Sequence, residues 1–124
     1  MEALEQRIRE LKQRYALTLP DRVASIGNLL LQAGEQAVVR AELLRQFHTL
    51  AGTAGTFGYN DVAALACEAE GLLSSVATPE VTPDEVEHVA CRLVDLDEVI
   101  HRDVGCYGLS NRTALSFLEQ AGFQ

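Results

Sequence analysis

Phe47-His48-Thr49-Leu50-Ala51-Gly52-Thr53-Ala54-Gly55-Thr56-Phe57-Gly58 is the stretch on which the reading of this chain turns. Val39, Leu43, Phe47, Leu50, Ala54 and Phe57 recur at three- and four-residue steps, the stripe of a helix expected over 36–56. His48 stands beside members of that stripe and therefore at its margin or outside it. Four and seven residues onward, on the face of His48, come Gly52 and Gly55. An interior glycine costs a helix about 0.5–1 kcal/mol relative to alanine, so two of them need a reason. A strip free of side chains beside an exposed imidazole would let another protein's active site close over the ring. Close packing of a neighbouring helix would ask for the same glycines, and spacing alone leaves both explanations open.

Helical patterns continue on either side. A first helix is expected over 2–16, with Leu4, Ile8, Leu11 and Tyr15 on one face, and Thr18 and Pro20 as punctuation. A second follows with Val23, Ile26, Leu30 and Ala33 on one face and Gly34 near its end. Gly58-Tyr59-Asn60-Asp61 reads as a tight connection, with Asn60 or Asp61 capping a fourth helix that turns Val62, Leu65, Ala69, Leu72 and Val76 inward until Thr78-Pro79. Thr82-Pro83-Asp84-Glu85 combines a capping threonine, a first-turn proline and a capping-box glutamate, and opens a fifth helix carrying Val86, Val89, Leu93, Leu96 and Ile100. After a break at Gly105 to Gly108, a short helix over 110–121 is expected to pack Leu115 and Leu118 on the rest. Strand signals are weak throughout. The expectation is an all-α protein, an antiparallel up-and-down four-helix bundle made of the second to fifth helices, with additional N-terminal and short C-terminal helices, all in one domain over 1–124.

Composition narrows the functional classes. The 124 residues are 48% hydrophobic, enough for one real core and too few for two comfortable domains. No apolar run approaches the roughly 20 residues of a bilayer span, and Met1-Glu-Ala-Leu-Glu-Gln-Arg lacks a secretory apolar stretch. No membrane insertion and a cytoplasmic location are therefore expected. A net charge of −8 repels nucleic acid phosphates, and no basic stripe offsets it. Cys67, Cys91 and Cys106 are odd in number and lack CxxC spacing, which suits reduced thiols.

The run His-x-Leu-x-Gly-x-Ala-Gly-x-Phe-Gly from His48 to Gly58 resembles the signature of histidine-containing phosphotransfer (HPt) domains. Ala-Gly-Thr-Phe-Gly at 54–58 looks especially like the phosphotransfer domains of chemotaxis histidine kinases. HPt domains are helical bundles of about this length with the active histidine midway along a central helix. The resemblance implies that His48 accepts a phosphoryl group from a receiver-domain aspartate, or from ATP held on a kinase domain, and passes it to a receiver. The expected partners are thus a response-regulator receiver domain, a histidine kinase, or both. The chain would be a carrier with no ATP site of its own. It would hold no intrinsic cofactor, with Mg2+ and most of the charge stabilisation supplied by the partner. Family architecture allows either a whole protein or the N-terminal domain of a longer one.

Three positions set the expected support of His48. Tyr59 lies midway in sequence between His48 and Glu70, so a hairpin turning there puts the two at one height on neighbouring helices. Glu70 can then orient the imidazole, and the resemblance assigns a glutamate at this spacing to that hydrogen bond. HPt domains usually carry lysine three residues after the histidine. Here that residue is Ala51, and the only lysine is Lys12. Arg45, three residues before His48, is the candidate for neutralising phosphate. Ala51, Gly52 and Gly55 form the expected approach surface. The competing reading is a non-catalytic docking or dimerisation module that binds receivers without phosphotransfer, which the missing lysine favours mildly.

Other constellations are weaker. Glu85/His88 and Glu98/His101 repeat the Glu-x-x-His pair of di-iron bundles, but lie on one expected helix about 20 Å apart and cannot share a metal. They are expected to be surface and margin residues. His88 and Cys91 have no second pair with which to close a zinc site. Cys67, one turn from Glu70, has no evident oxyanion donors and reads as a small side chain at the histidine's rim.

Overall fold

A computed structural model describes residues 2–37, 39–110, 113 and 117. They form four helices, α1 (Glu2–Glu35), α2 (Arg40–Thr56), α3 (Asn60–Ser74) and α4 (Pro83–Val104), and no strand longer than an isolated bridge. Helix α2 packs chiefly on α3, α3 on α4 and α4 on α1, while the seam between α1 and α2 is the thinnest of these four. No helix among the described residues is long and apolar enough to cross a membrane.

The expected break between a first and a second helix does not occur, because α1 runs unbroken through Pro20. Proline inside a helix lacks a donor and crowds the preceding turn, at a cost of about 3 kcal/mol. A single stripe outweighs it: Tyr15, Leu19, Val23, Ile26 and Leu30 are all buried, on both sides of the proline. Each such side chain contributes about 1.5–3 kcal/mol when covered. Thr18 Oγ1 adds a 2.7 Å bond to the Tyr15 carbonyl in the turn before Pro20. There is accordingly no separate N-terminal helix. That segment is the projecting end of α1, exposed at every residue from 2 to 14, with Leu4 61%, Ile8 55% and Leu11 46% accessible.

Other boundaries also move. Helix α2 starts at Arg40 rather than at 36, and Val39, counted above in its apolar stripe, is exposed and forms an isolated bridge with Glu80. Helix α3 is capped by Tyr59 without a side-chain bond, not by Asn60 or Asp61. Asp61 instead receives Arg102 of α4 at 2.9 Å. Helix α3 stops at Ser74, before Thr78-Pro79, and leaves Val76 exposed outside it. The Thr82/Glu85 capping box forms as expected and starts α4.

Arg40 explains why the chain between α3 and α4 needs no helix. Its buried guanidinium donates to the carbonyls of Thr78 (2.6 Å), Leu73 (2.9 Å) and Glu80 (2.9 Å), and to both carboxylate oxygens of Glu85, Oε1 at 2.7 Å. The Arg40 backbone N–H donates to the Pro79 carbonyl at 2.6 Å. Glu85, expected at the surface or margin, is therefore buried, and the Arg40 hydrogen bond holds its carboxyl down to about 2.

After α4, the buried Asp97 carboxylate accepts the backbone N–H groups of Gly108 (2.6 Å) and Leu109 (3.3 Å), while burial pushes its pKa up. Gly108 passes so close to the Pro20 carbonyl that a Cβ would collide with it, so glycine is required by the approach. Leu109 and Phe117 are buried beside Gly27 of α1. Most of the last helix expected over 110–121, with Leu115 and Leu118, lies outside the described residues.

Candidate functional site

Phe47, Leu50 and Ala54 point into the core, so the helical repeat turns His48 outward, and its side chain is 79% exposed. Gly58 makes the turn after α2 with φ +85°, a left-handed conformation that glycine adopts without strain. The Gly58 and Tyr59 N–H groups close the end of α2 on the Gly55 and Ala54 carbonyls. The α2–α3 hairpin built on that turn sets His48 Nδ1 2.8 Å from Glu70 Oε2. A carboxylate is an acceptor only, so Nδ1 carries the hydrogen and donates, leaving the Nε2 lone pair free toward solvent. Glu70 itself is only 27% exposed, which limits the positions its carboxylate can take.

The glycines beside His48 are not there for internal packing. A Cβ on Gly52 would meet nothing within 4 Å, and one on Gly55 would meet only the Ala63 Cβ at an ordinary 3.9 Å. Both residues are exposed, so the strip beside His48 is bare. Gly52→Ala is accordingly expected to raise stability by about 0.5–1 kcal/mol, the helix-propensity difference. Urea denaturation checks it, and a loss of stability would restore the packing explanation.

His48 and Glu70 share a shallow groove between α2 and α3 with Arg45, Cys67 and Gly71. Cys67 is an exposed free thiol at the rim of this groove, and a Cβ on Gly71 would meet nothing within 4 Å. Arg45 is 66% exposed, and its guanidinium grips Glu42 through two bonds, Nε to Oε2 at 3.1 Å and Nη2 to Oε1 at 2.6 Å. Hydrogen bonds from Arg45 and then Gln46 hold the Glu42 carboxyl down to about 2. Sequence reasoning passed over Glu42, although a Glu-x-x-Arg pair three residues apart on a helix is a legible signal. Ala51 is half-buried against the core and brings no charge. Lys12 stands over the Tyr59 ring, 5.1 Å from its centre, at the hairpin end of the bundle.

Behind this face, Tyr15 OH and Thr53 Oγ1 are 2.7 Å apart and tie α1 to α2 across their thin seam. Arg45 also borders the groove along that seam, opposite Arg22 and beside Thr49.

The metal-like pairs do other work. Glu85 is bound to Arg40, and His101 stacks on Tyr107 with ring centres 3.9 Å apart. No group of three or more His, Cys, Asp or Glu among the described residues converges as a metal site.

The family model described as the Hpt domain matches residues 10–102, well over half of the chain. Comparisons with curated proteins and with solved structures returned no match.

Proposed function

The chain belongs to the Hpt domain family, a family of phosphotransfer modules in two-component signalling, and on that footing we propose that His48 carries the phosphoryl group. The observation that carries this reading is an exposed imidazole whose Nδ1 lies 2.8 Å from a mostly covered carboxylate. The Nε2 lone pair attacks the phosphorus of a phospho-aspartate on a receiver domain. The N–P bond forms as the acyl O–P bond breaks, and the aspartate leaves as a carboxylate. The Nδ1 hydrogen stays in its bond to Glu70, which stabilises the positive charge gained by the ring. Transfer to the next receiver reverses these changes. A kinase domain holding ATP is the other donor of the same chemistry.

In this reading the chain is a substrate and relay in the cytoplasm, and the Mg2+ and most of the charge stabilisation sit in the partner. Gly52 and Gly55, with Ala51 beside them, form the surface over which the partner closes. Arg45 is the nearest candidate for neutralising the bound phosphate, in the absence of the lysine that position 51 usually supplies.

The test is incubation with a phosphorylated receiver. The chain should acquire phosphate that is labile to acid and stable to base. Glu70→Ala should slow the transfer on the order of 10- to 100-fold, the cost typical of losing an outer partner that orients a histidine ring. An unchanged rate removes Glu70 from the mechanism. Stable receiver binding with no such phosphate overturns the carrier reading in favour of a docking module.

A further inference from the structure

We infer that Glu42 is a positioning residue that holds Arg45 away from His48 until a phosphoryl group arrives, so that the guanidinium exchanges one anion for the other. This rests on the proposal that His48 carries the group. Helical side chains lean toward the N-terminus of their helix. The imidazole of His48 therefore overhangs the turn that bears Arg45, while Arg45 leans back one turn further onto Glu42. Both bonds of the Glu42–Arg45 pair run along the helix surface, with Arg45 and His48 lining the same groove. The pair is open to water, 66% on the arginine and 43% on the glutamate, and such pairs hold weakly. The two bonds to Glu42 set the resting direction of Arg45, and their exposure leaves the pair too weak to keep it from a phosphoryl dianion. A phosphoryl group offers the fork of Arg45 the same two-oxygen geometry with more charge.

No bond other than hydrogen bonds changes and no proton moves. Arg45 leaves the two Glu42 oxygens and takes phosphoryl oxygens on Nε2, and Glu42 keeps the Gln46 amide that already donates to it at 3.2 Å. The consequence is a carrier whose affinity for phosphoryl is set below its maximum. A carrier that must release the group to its next partner needs such a setting.

The experiment is a double-mutant cycle read as the equilibrium ratio of phosphorylated chain to phosphorylated receiver. Glu42→Gln should raise the ratio by roughly 1.5- to 5-fold, the range that an exposed ion pair commands, and more at low salt than at high. Arg45→Gln should lower it by a similar factor. In the Arg45→Gln background, Glu42→Gln should change nothing. If Glu42→Gln raises the ratio equally in both backgrounds, Glu42 acts by simple charge repulsion and the inference falls. It also falls if neither single substitution moves the ratio of a chain that loads normally. A wild-type chain that takes no phosphoryl group overturns the carrier reading, and this inference with it.

Discussion

His48→Gln is expected to reduce phosphoryl acceptance to background while leaving the fold intact. The two halves of that expectation have separate grounds. Glutamine presents no nucleophilic ring nitrogen, and neither His88 nor His101 lies in the groove with Glu70. The loss should therefore be complete rather than partial. Stability should stay within about 0.5 kcal/mol of wild type, as for a surface substitution away from caps and core. His48 is 79% exposed and its one side-chain bond, to Glu70, can be remade by the glutamine amide. Autoradiography of the chain after mixing with a labelled phospho-receiver, alongside urea denaturation, reads both halves. Residual acid-labile phosphate on the variant would assign the carrier role to another residue.

Arg40→Met should cost about 3–5 kcal/mol, the toll of leaving a buried carboxylate without its partner. That is a large share of the roughly 5–15 kcal/mol that holds a domain of this kind together. The loss falls on the whole connection between α3 and α4, because the carbonyls of Leu73, Thr78 and Glu80 all lose their guanidinium donor. Denaturation with urea should show the midpoint falling with little change in slope. The pH profile identifies the cause. Glu85 has a folded pKa of about 2, below the ordinary 4.5, so its contribution is fully present above 4.5 and lost as pH falls toward 2. Wild-type stability should decline through that window, and Arg40→Met should decline less. Glu42 is also lowered to about 2, but its exposed pairing is screened by added salt far more than the buried pair is. A midpoint unchanged by Arg40→Met would show that the guanidinium network contributes nothing net.

Much of this architecture is written locally, and what is not written locally escapes a reading of the sequence. The capping box at Thr82 and Glu85 depends on neighbours three residues apart, so α4 begins where its residues say it should. The height match of His48 and Glu70 follows from equal rise along two helices that leave one turn, and needs only the position of Tyr59. Arg40 is different, since its partners Thr78 and Glu85 come about forty residues later, and nothing near position 40 announces a buried charge. Pro20 misleads for a related reason: its penalty is local, whereas the stripe from Tyr15 to Leu30 that overrides it is paid back by α4 and the residues after it. Leu4, Ile8 and Leu11 show the limit of periodicity, which reports a face without reporting what covers it. Glu42 was legible as half of an ion pair, but its place beside the groove of His48 required the turn of the helix to be known.

The uneven cover along α1 gives one helix two very different resistances to opening. From Tyr15 to Leu30 its amides are locked under a buried stripe, and exposing them to solvent means dismantling the bundle. From residue 2 to 14 every residue is exposed, and a segment of about thirteen residues is marginal as a helix by itself. Its turns can unwind and rewind while the rest of the molecule stands still. Tyr15, bonded to Thr53 and stacked on Phe57 at 4.6 Å, is where that fraying stops. Deuterium would therefore enter the first turns of α1 long before it reached the helix that bears His48, and the boundary between the fast and the slow amides would fall inside a single unbroken element.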